Sequence, residues 1–551
     1  MSKIDWVILI GTLGIIIAYG IYKSRTTKNL EGYFLSNRSL PSYLVLLSIM
    51  GTQASAITFL TGPGQAYSDG MRFVQYYFGL PLAMIVISIF FVPVFCRLKV
   101  YTAYEFLEHR FDLKTRTLTS FLFLLSRGLS TGISIYAPSL VLSSLMGWNI
   151  YYTNLVMGGL LIIYTMSGGA KAVAHTQKLQ MIIVFISLFI VGWLAVKLLP
   201  EAVGFNGALK IAGEKGKMNI ITTGFTANGF DWKDKYNIWS GLIGGFFLAL
   251  SYFGTDHSQV GRYLTAKDIT ESRRGLLMNG LVKVPMQFFI LLIGILIFSF
   301  YQYHKAPVYF APATSIAAKQ TVFKDSLLAV ETKYNSALAM QNTAEATAMR
   351  VEYKRILKKA LPGEDVNDNN YIFLQFVKDN LPVGLIGVIF AIIFLASWGS
   401  IAAALNSLAA CTVVDFHKKF LVKKETPLQD YKISQWYTLA WGIFCIIIAM
   451  FAQNIGNSLI EAVNILGSLF YGVILGIFLV AFWMKQVKGN AVFIAAIVSE
   501  ILVIVVYKMD IISFLWLNVI GALLVIILCL ILQPFFKKDV DELVLADKPI
   551  K

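Results

Sequence analysis

Residues 41–71 read PSYLVLLSIMGTQASAITFLTGPGQAYSDGM, an apolar span that its own residues interrupt. Gly51, Thr52, Gln53, Ser55 and Thr58 stand in its middle, and Gly62-Pro63-Gly64 follow. In hydrocarbon every backbone N–H and C=O needs an internal partner. Irregular backbone is therefore tolerated there only where protein buries it or a watery cavity meets it. Carbonyls freed at such a break can hold a small cation, and the two half-helix ends add partial charges. The interruption points to a transporter with a site near mid-membrane.

The rest of the chain is of the same kind. Of its 551 residues, 57% are hydrophobic and only 14% charged, with a mean hydropathy of +0.67, which excludes a soluble domain. About 20 apolar residues are needed to cross the bilayer core. Thirteen segments meet that need: 4–22, 42–69, 74–96, 117–146, 150–167, 175–199, 238–260, 275–302, 384–414, 434–452, 457–484, 489–508 and 511–533. The fold class expected is an all-α polytopic membrane protein. Residues 4–22 lack a basic leader and a small-residue cleavage site, so they read as a retained helix and not a signal peptide.

The net charge of +16 would suggest nucleic acid in a soluble protein. Here its position gives another reading. Basic residues fill alternate loops: Lys23, Arg25, Lys28 and Arg38; Arg97, Lys99, Arg110, Lys114 and Arg116; Arg262, Lys267, Arg273 and Arg274; Lys418, Lys419, Lys423, Lys424 and Lys432; Lys485 and Lys488; Lys537 and Lys538. The loops between them, near 70–73, 147–149 and 453–456, hold only Arg72. By the positive-inside rule the basic set is cytoplasmic, with the N-terminus outside and the C-terminus inside, as thirteen crossings require. No nucleic-acid partner is implied; the bilayer is the partner. Cys96, Cys411, Cys445 and Cys529 lie in or beside apolar stretches, without a CxxC or Cys/His cluster, so neither a disulfide framework nor zinc is expected. Residues 200–237 and 303–383 are longer outer segments. The second has helical spacing of Leu327, Leu328, Val330, Tyr334, Leu338 and Met340, which predicts a small cap of helices or, alternatively, a partner-docking unit.

Six segments together resemble the sodium/solute symporter family over about 4–535. They are GQAYSDGMRF (64–73), FVPVFCRLKVYTAYEFLEHRF (91–111), IYAPSLVL (135–142), YTMSGGAKAVAHTQKLQ (164–180), SYFGTDHSQVGRYLTAKD (251–268) and LNSLAACTVVDF (405–416). The branch that looks nearest contains sodium/iodide, monocarboxylate and multivitamin transporters. The resemblance implies an inverted five-plus-five helix repeat (LeuT-like), with repeats over 42–199 and 238–484, the second including the 303–383 insertion. The 4–22 helix, the pair at 489–533 and a tail at 534–551 would lie outside the repeats. The opening helix of the second repeat also has breaking residues, Gly241, Gly244, Gly245 and Gly254, beside Ser251 and Thr255.

Carried over position by position, the family's sodium site falls on the carbonyls of Gly51, Ala54 and Ala396 and on a hydroxyl pair at Gly399 and Ser400. Gly399 departs from the pattern, since the family usually has Ser there; a water in the vacated space, or Thr52, Ser55 or Ser397, would have to replace it. An additional sodium is not expected. The acid of the family's W-T-D pattern is here Gln177, followed by Lys178, and Ala402 and Ala403 replace hydroxyls. The implied solute pocket takes Gln53, Thr58, Tyr77, Phe78, Ser251, Tyr252, Asn464 and Ser468. Tyr252 matches an inner-gate aromatic, while ordinary packing accounts equally well for any one of the aromatics. Buried amides such as Gln53 and Asn464 need partners.

Arg127 sits about ten residues into the fourth segment, where it should face a cavity or a carboxylate. It could meet an anionic solute, snorkel to the cytoplasm, or pair with a helix C-terminus. Asp256 and His257 read as a helix-end charge network at the cytoplasmic mouth, and Glu461 as a solvated outer residue. The expected function is sodium-coupled symport of a small polar, possibly anionic, organic solute by alternating access, in the plasma membrane or the inner membrane of a Gram-negative bacterium. One sodium ion is expected and no organic cofactor. A proton-coupled or uncoupled transporter, motivated by Gly399, Gln177 and His175, is the first alternative. A membrane sensor is the second, weakened by the short tail after Pro534. No motif supports an enzyme.

Overall fold

The computed structural model describes residues 1–24, 29–340, 342–362, 366–421, 426–452 and 458–536. Arg25, Lys28, Lys423, Lys424, Lys537 and Lys538, the 453–456 loop and the tail from 537 lie outside the described residues. The bundle is built from α1 (Lys3–Ser24), α2 (Ser42–Gln53), α3 (Ala56–Asp69), α4 (Leu113–Met146), α5 (Ile150–Lys197), α6 (Gly245–Gly254), α7 (His257–Tyr263), α8 (Ile269–Tyr303), α9 (Leu385–Cys411), α10 (Pro427–Phe451), α11 (Leu459–Trp483), α12 (Gly489–Met509) and α13 (Phe514–Leu532). Among the described residues ten helices are long and apolar enough to cross a membrane, with shorter apolar ones at Ser42–Gln53, Ile150–Met166 and Ser240–Gly254. Residues 80–98 form a further helical stretch with a π turn at Ile87–Phe91. Each segment read from the sequence contains helix.

The interruption in residues 41–71 is real but narrower than its composition suggests. Helix α2 stops at Gln53 and α3 starts at Ala56, with Ala54 (φ −82, ψ 85) and Ser55 (φ −90, ψ 174) non-helical between them. Gly62-Pro63-Gly64, by contrast, continue as helix. Their smallness serves close packing. A Cβ on Gly64 would run into the carbonyl oxygen of Asn369, and one on Gly294 into the carbonyl of Pro63. The second interrupted helix behaves alike. Gly241 and Gly245 lie against the backbone of Gln75 and Tyr76, and the break falls later, at Thr255 (φ −130, ψ −23) and Asp256 (φ −75, ψ 115). The segments at 150–167 and 175–199 meet at a kink, as Ile150–Met166 and Gly169–Lys197, with no longer loop between them. One residue, Gly169 (φ 57, ψ −173), interrupts α5, and a side chain there would press on Tyr33.

Helix α9 is the central element. It is buried almost from end to end and packs against α1, α2, α3, α4, α5 and α10. Asp5 pins α1 to its start, accepting Gly384 N at 2.7 Å and Gly387 N at 3.2 Å. Outside the bundle, residues 200–237 hold a helix (Gly204–Glu214) and a hairpin of Phe225–Thr226 with Gly229–Phe230. The 303–383 segment is a cap of helices with its own core of Leu327, Val330, Tyr334, Tyr353 and Leu357. Buried Asp368 gathers it, meeting Lys354 at 2.5 Å, Arg350 at 3.4 Å and Phe310 N at 2.9 Å. Asn369 then ties it to α3 through Ser68 at 2.6 Å, and Asn370 to α11 through Leu459 N at 3.4 Å. Glu461 differs from its solvated reading. It is 6% exposed and takes Tyr236 Oη at 3.0 Å and Lys235 at 3.1 Å.

Because Asn369 backbone cannot yield as a flexible side chain would, Gly64→Ala should destabilise by about 1–3 kcal/mol. Gly159→Ala, with nothing within 4 Å of its Cβ, should stay within about 0.5 kcal/mol of the parent. Thermal melting in detergent checks the pair.

Candidate functional site

The first break leaves backbone groups without partners. Ala54 N reaches Met50 O at 2.7 Å and Ser55 N reaches Gln53 O at 3.1 Å, so the carbonyls of Gly51, Thr52 and Ala54 accept no backbone hydrogen bond. At the second break Asp256 caps α7, its Oδ1 accepting Ser258 N at 2.8 Å and Ser258 Oγ at 2.6 Å. A cavity with both polar and apolar walls lies between the two broken helices and is closed by α4, α9 and α11.

Of the residues expected to meet a solute, Gln53, Thr58, Tyr77, Arg127, Tyr252 and Asn464 line this cavity, together with Ser400. The Oε1 of Gln53 is buried and has no hydrogen-bond partner among the described residues. Asn464 Oδ1 accepts Tyr76 Oη at 3.0 Å. Three others do not line the cavity. Ser251 donates to Tyr471 O at 2.7 Å and spans to Thr255 at 3.3 Å. Ser468 accepts Asn518 Nδ2 at 2.9 Å on the α13 side. Phe78 packs among partly buried apolar residues.

Arg127 faces a carboxylate. Its guanidinium forms an ion pair with Asp256, donates to Tyr471 Oη at 2.8 Å and lies over the Tyr252 ring at 5.2 Å. Tyr471 Oη in turn donates to Asp256 Oδ2 at 3.0 Å. The pair therefore joins α4, the α6–α7 break and α11 in one network, with Asp256 2% exposed. Its charge is internally balanced, so Arg127 is not a free anion receptor. His257 is buried beside it, and its Nδ1 has no hydrogen-bond partner.

The positions read as a sodium site converge on one side chain. Gly51 and Gly399 both lie against Gln177, where added Cβ atoms would come within 2.9 and 3.2 Å of it. Gln177 Nε2 donates to Gly399 O at 3.0 Å and Thr52 Oγ1 at 3.2 Å, while its Oε1 accepts Ser48 Oγ at 2.8 Å. Ala54 and Ala396 share a packed cluster with Met50 and Met181. Ser400 Oγ donates to Ser397 O at 3.0 Å, which leaves its lone pairs free to accept. Ser397 Oγ turns to Ile393 O at 2.8 Å. Free carbonyls and one hydroxyl are the hard oxygen donors that suit sodium at a helix break. One expectation fails. The space beside Gly399 is not open for a water, because a Cβ there would run into Gln180 Oε1. Ala402 and Ala403 are fully buried, Lys178 lies over Tyr43 at 5.5 Å, and His175 Nδ1 is 2.9 Å from Lys171 O.

Sequence reasoning missed Tyr76, Tyr471, Lys283 and Gln180. Both tyrosines sit in runs that read as packing. Lys283 on α8 is 1% exposed, has no hydrogen-bond partner among the described residues, and its ammonium stands 5.7 Å over the Tyr77 ring. A lone lysine inside an apolar segment was the signal that could have found it.

Two broken helices around a partly polar cavity in an apolar bundle define a secondary transporter. The chain belongs to the sodium:solute symporter family, whose profile matches residues 33–329 and 338–499. It is a multi-pass membrane protein that carries out sodium-coupled solute symport and is not an enzyme. Over 549 residues it is 25% identical to the sodium/sialic acid symporter NanT of Aliivibrio fischeri, covering 98% of this chain and 95% of that protein. It is 30% identical over 252 residues to the human sodium/iodide cotransporter, covering 46% of this chain. The solved substrate-bound outward-open structure of a Na⁺-coupled sialic acid symporter superposes with a TM-score of 0.78 over 97% of this chain and 98% of that one. At 23% identity this likeness bears on the fold.

Removing one partner of a buried pair leaves an uncompensated charge, so Asp256→Ala should destabilise by about 3–5 kcal/mol. Arg127→Ala combined with Asp256→Ala should lose markedly less than the sum of the singles. A double-mutant cycle of thermal stabilities reads the coupling.

Proposed function

We propose that this symporter carries one sodium ion with a small polar organic solute that bears an anionic group, and that the solute sits in the cavity between the two breaks. The observation that carries the reading is the unsatisfied acceptor Gln53 Oε1 in the cavity wall; Lys283 is not part of the lining but lies next to it, its ammonium 5.7 Å over the ring of the lining residue Tyr77. An unpaired ammonium and an unpaired amide oxygen in low dielectric each gain from a ligand that completes them. The anion preference thus rests on Lys283 and not on Arg127, whose charge Asp256 already balances. Asn464, Thr58, Tyr252 and the ring of Tyr77 supply the remaining polar and aromatic walls.

Sodium is held by carbonyls of Gly51, Ala54 and Ala396 with Ser400, and no second ion is carried. Gln177 supports this count, since its Nε2 presents hydrogen atoms toward the site where an acid would present charge. The two breaks open repeats over 42–199 and 238–484, and the chain makes thirteen crossings with the N-terminus outside and the C-terminus in the cytoplasm. The basic loops support that orientation and a place in the plasma membrane, or the inner membrane of a Gram-negative cell. Sodium biases the bundle only by its differential affinity for the outward-open and closed arrangements.

The stoichiometry has an electrical consequence. One charge moving through about 100 mV gives roughly 2.3 kcal/mol. A tenfold sodium gradient gives about 1.4 kcal/mol. One sodium with a neutral solute uses both terms, whereas one sodium with a monoanion moves no net charge and uses only the gradient. In proteoliposomes, accumulation of a monoanionic solute should need sodium, fail in potassium, and be insensitive to an imposed potential. Uptake that persists without sodium would refute the coupling, and a strong dependence on potential would refute the one-to-one count with an anion. Gln53→Leu should reduce solute affinity by roughly tenfold while leaving sodium binding intact.

A further inference from the structure

We infer that Gln180 supplies, through its Oε1, the side-chain oxygen that Gly399 lacks at the sodium position. This rests on the reading that sodium binds between the α2–α3 break and α9. Gln177 and Gln180 are three residues apart on α5 and therefore project from one face of that helix, toward α9. Their two amides are turned differently. Gln177 offers its nitrogen to Gly399 O and Thr52 Oγ1. Gln180 offers its oxygen to the spot where a side chain at 399 would begin, close enough that a Cβ there collides with it.

Gln180 is 2% exposed, and its Oε1 lies where a side chain at Gly399 would begin. A buried amide oxygen gains from a partner that takes its lone pairs. A cation does so at the oxygen, and the neighbouring donors fit that role. Ser400 Oγ has lone pairs free, and the carbonyls of Gly51 and Ala54 take no backbone hydrogen bond. A side chain on residue 399 would require the Gln180 carboxamide to move from its present position. The pair Gly399 and Gln180 is thus an exchange: the ligand has moved from α9 to α5. Sodium bound this way bridges α2, α5 and α9 instead of α2 and α9 alone.

The test is sodium-dependent thermal unfolding of the full-length protein in detergent, with potassium chloride holding ionic strength constant. The parent should show a saturable, sodium-specific rise in Tm. Gln180→Leu should raise the half-saturating sodium concentration by roughly tenfold or more. Gly399→Ser alone should also weaken sodium, because its side chain meets Gln180. Gln180→Ala combined with Gly399→Ser should recover sodium to within about threefold of the parent, since the hydroxyl then replaces the amide oxygen. Gln180→Glu keeps an oxygen there and adds charge, and should bind sodium more tightly than the parent. Parent-like half-saturation in Gln180→Leu, or no gain in Gln180→Glu, would overturn the ligand exchange while leaving the sodium position standing. Absence of any sodium-specific shift in the parent would overturn the sodium position and this inference with it.

Discussion

A broken helix inside hydrocarbon exposes carbonyls and N–H groups that water cannot reach, and the rest of this bundle is organised around answering two such breaks. At Ala54 and Ser55 the carbonyls of Gly51, Thr52 and Ala54 are left for an outside partner. At Thr255 and Asp256 the carboxylate caps the next helix with one oxygen and binds Arg127 and Tyr471 with the other. The first break is thus open to a ligand and the second is closed by the protein itself. That asymmetry supports the proposed sodium position at the first break and leaves a structural ion pair at the second.

Helix α9 makes the arrangement cooperative. Asp5 fixes its start, its middle runs past the first break, and Asp415 just beyond its end meets Thr102 and Arg116, with Thr102 Oγ1 at 2.8 Å. Glycine at 399 lets α5 approach so closely that two glutamines of α5 reach it. A shift of α9 against α2 would therefore disturb the Gly51 and Gly399 contacts with Gln177 together. Ion occupancy can bias such a two-arrangement element only through contacts that differ between its states. In the proposed arrangement, contacts to three helices would give sodium more such differences than contacts to two.

The architecture was largely legible in the sequence, because hydrocarbon length and backbone satisfaction are strong constraints. Residues 41–71 carried their break in plain view. What composition blurred was the cause of each glycine. Gly62, Gly64, Gly241 and Gly245 looked like breakers and are close-packing positions, whereas the breaks fall at Ala54-Ser55 and Thr255-Asp256. The reason is physical: a missing Cβ relieves a contact as readily as it frees a dihedral. Arg127 was legible as a residue needing a carboxylate, but its partner lay 129 residues away. Lys283 and Gln180 were passed over. One was a single charge in an apolar run, and the other a neutral amide whose meaning depends on a glycine in another helix.

Equilibrium binding of radioactive sodium to the purified protein tests the central claim most directly, that a carbonyl-lined break holds one transported ion. The account predicts a single saturable sodium per chain, undisturbed by potassium and tightened when a transported solute is added. Saturation at two sodium ions, or none that potassium fails to displace, would contradict it.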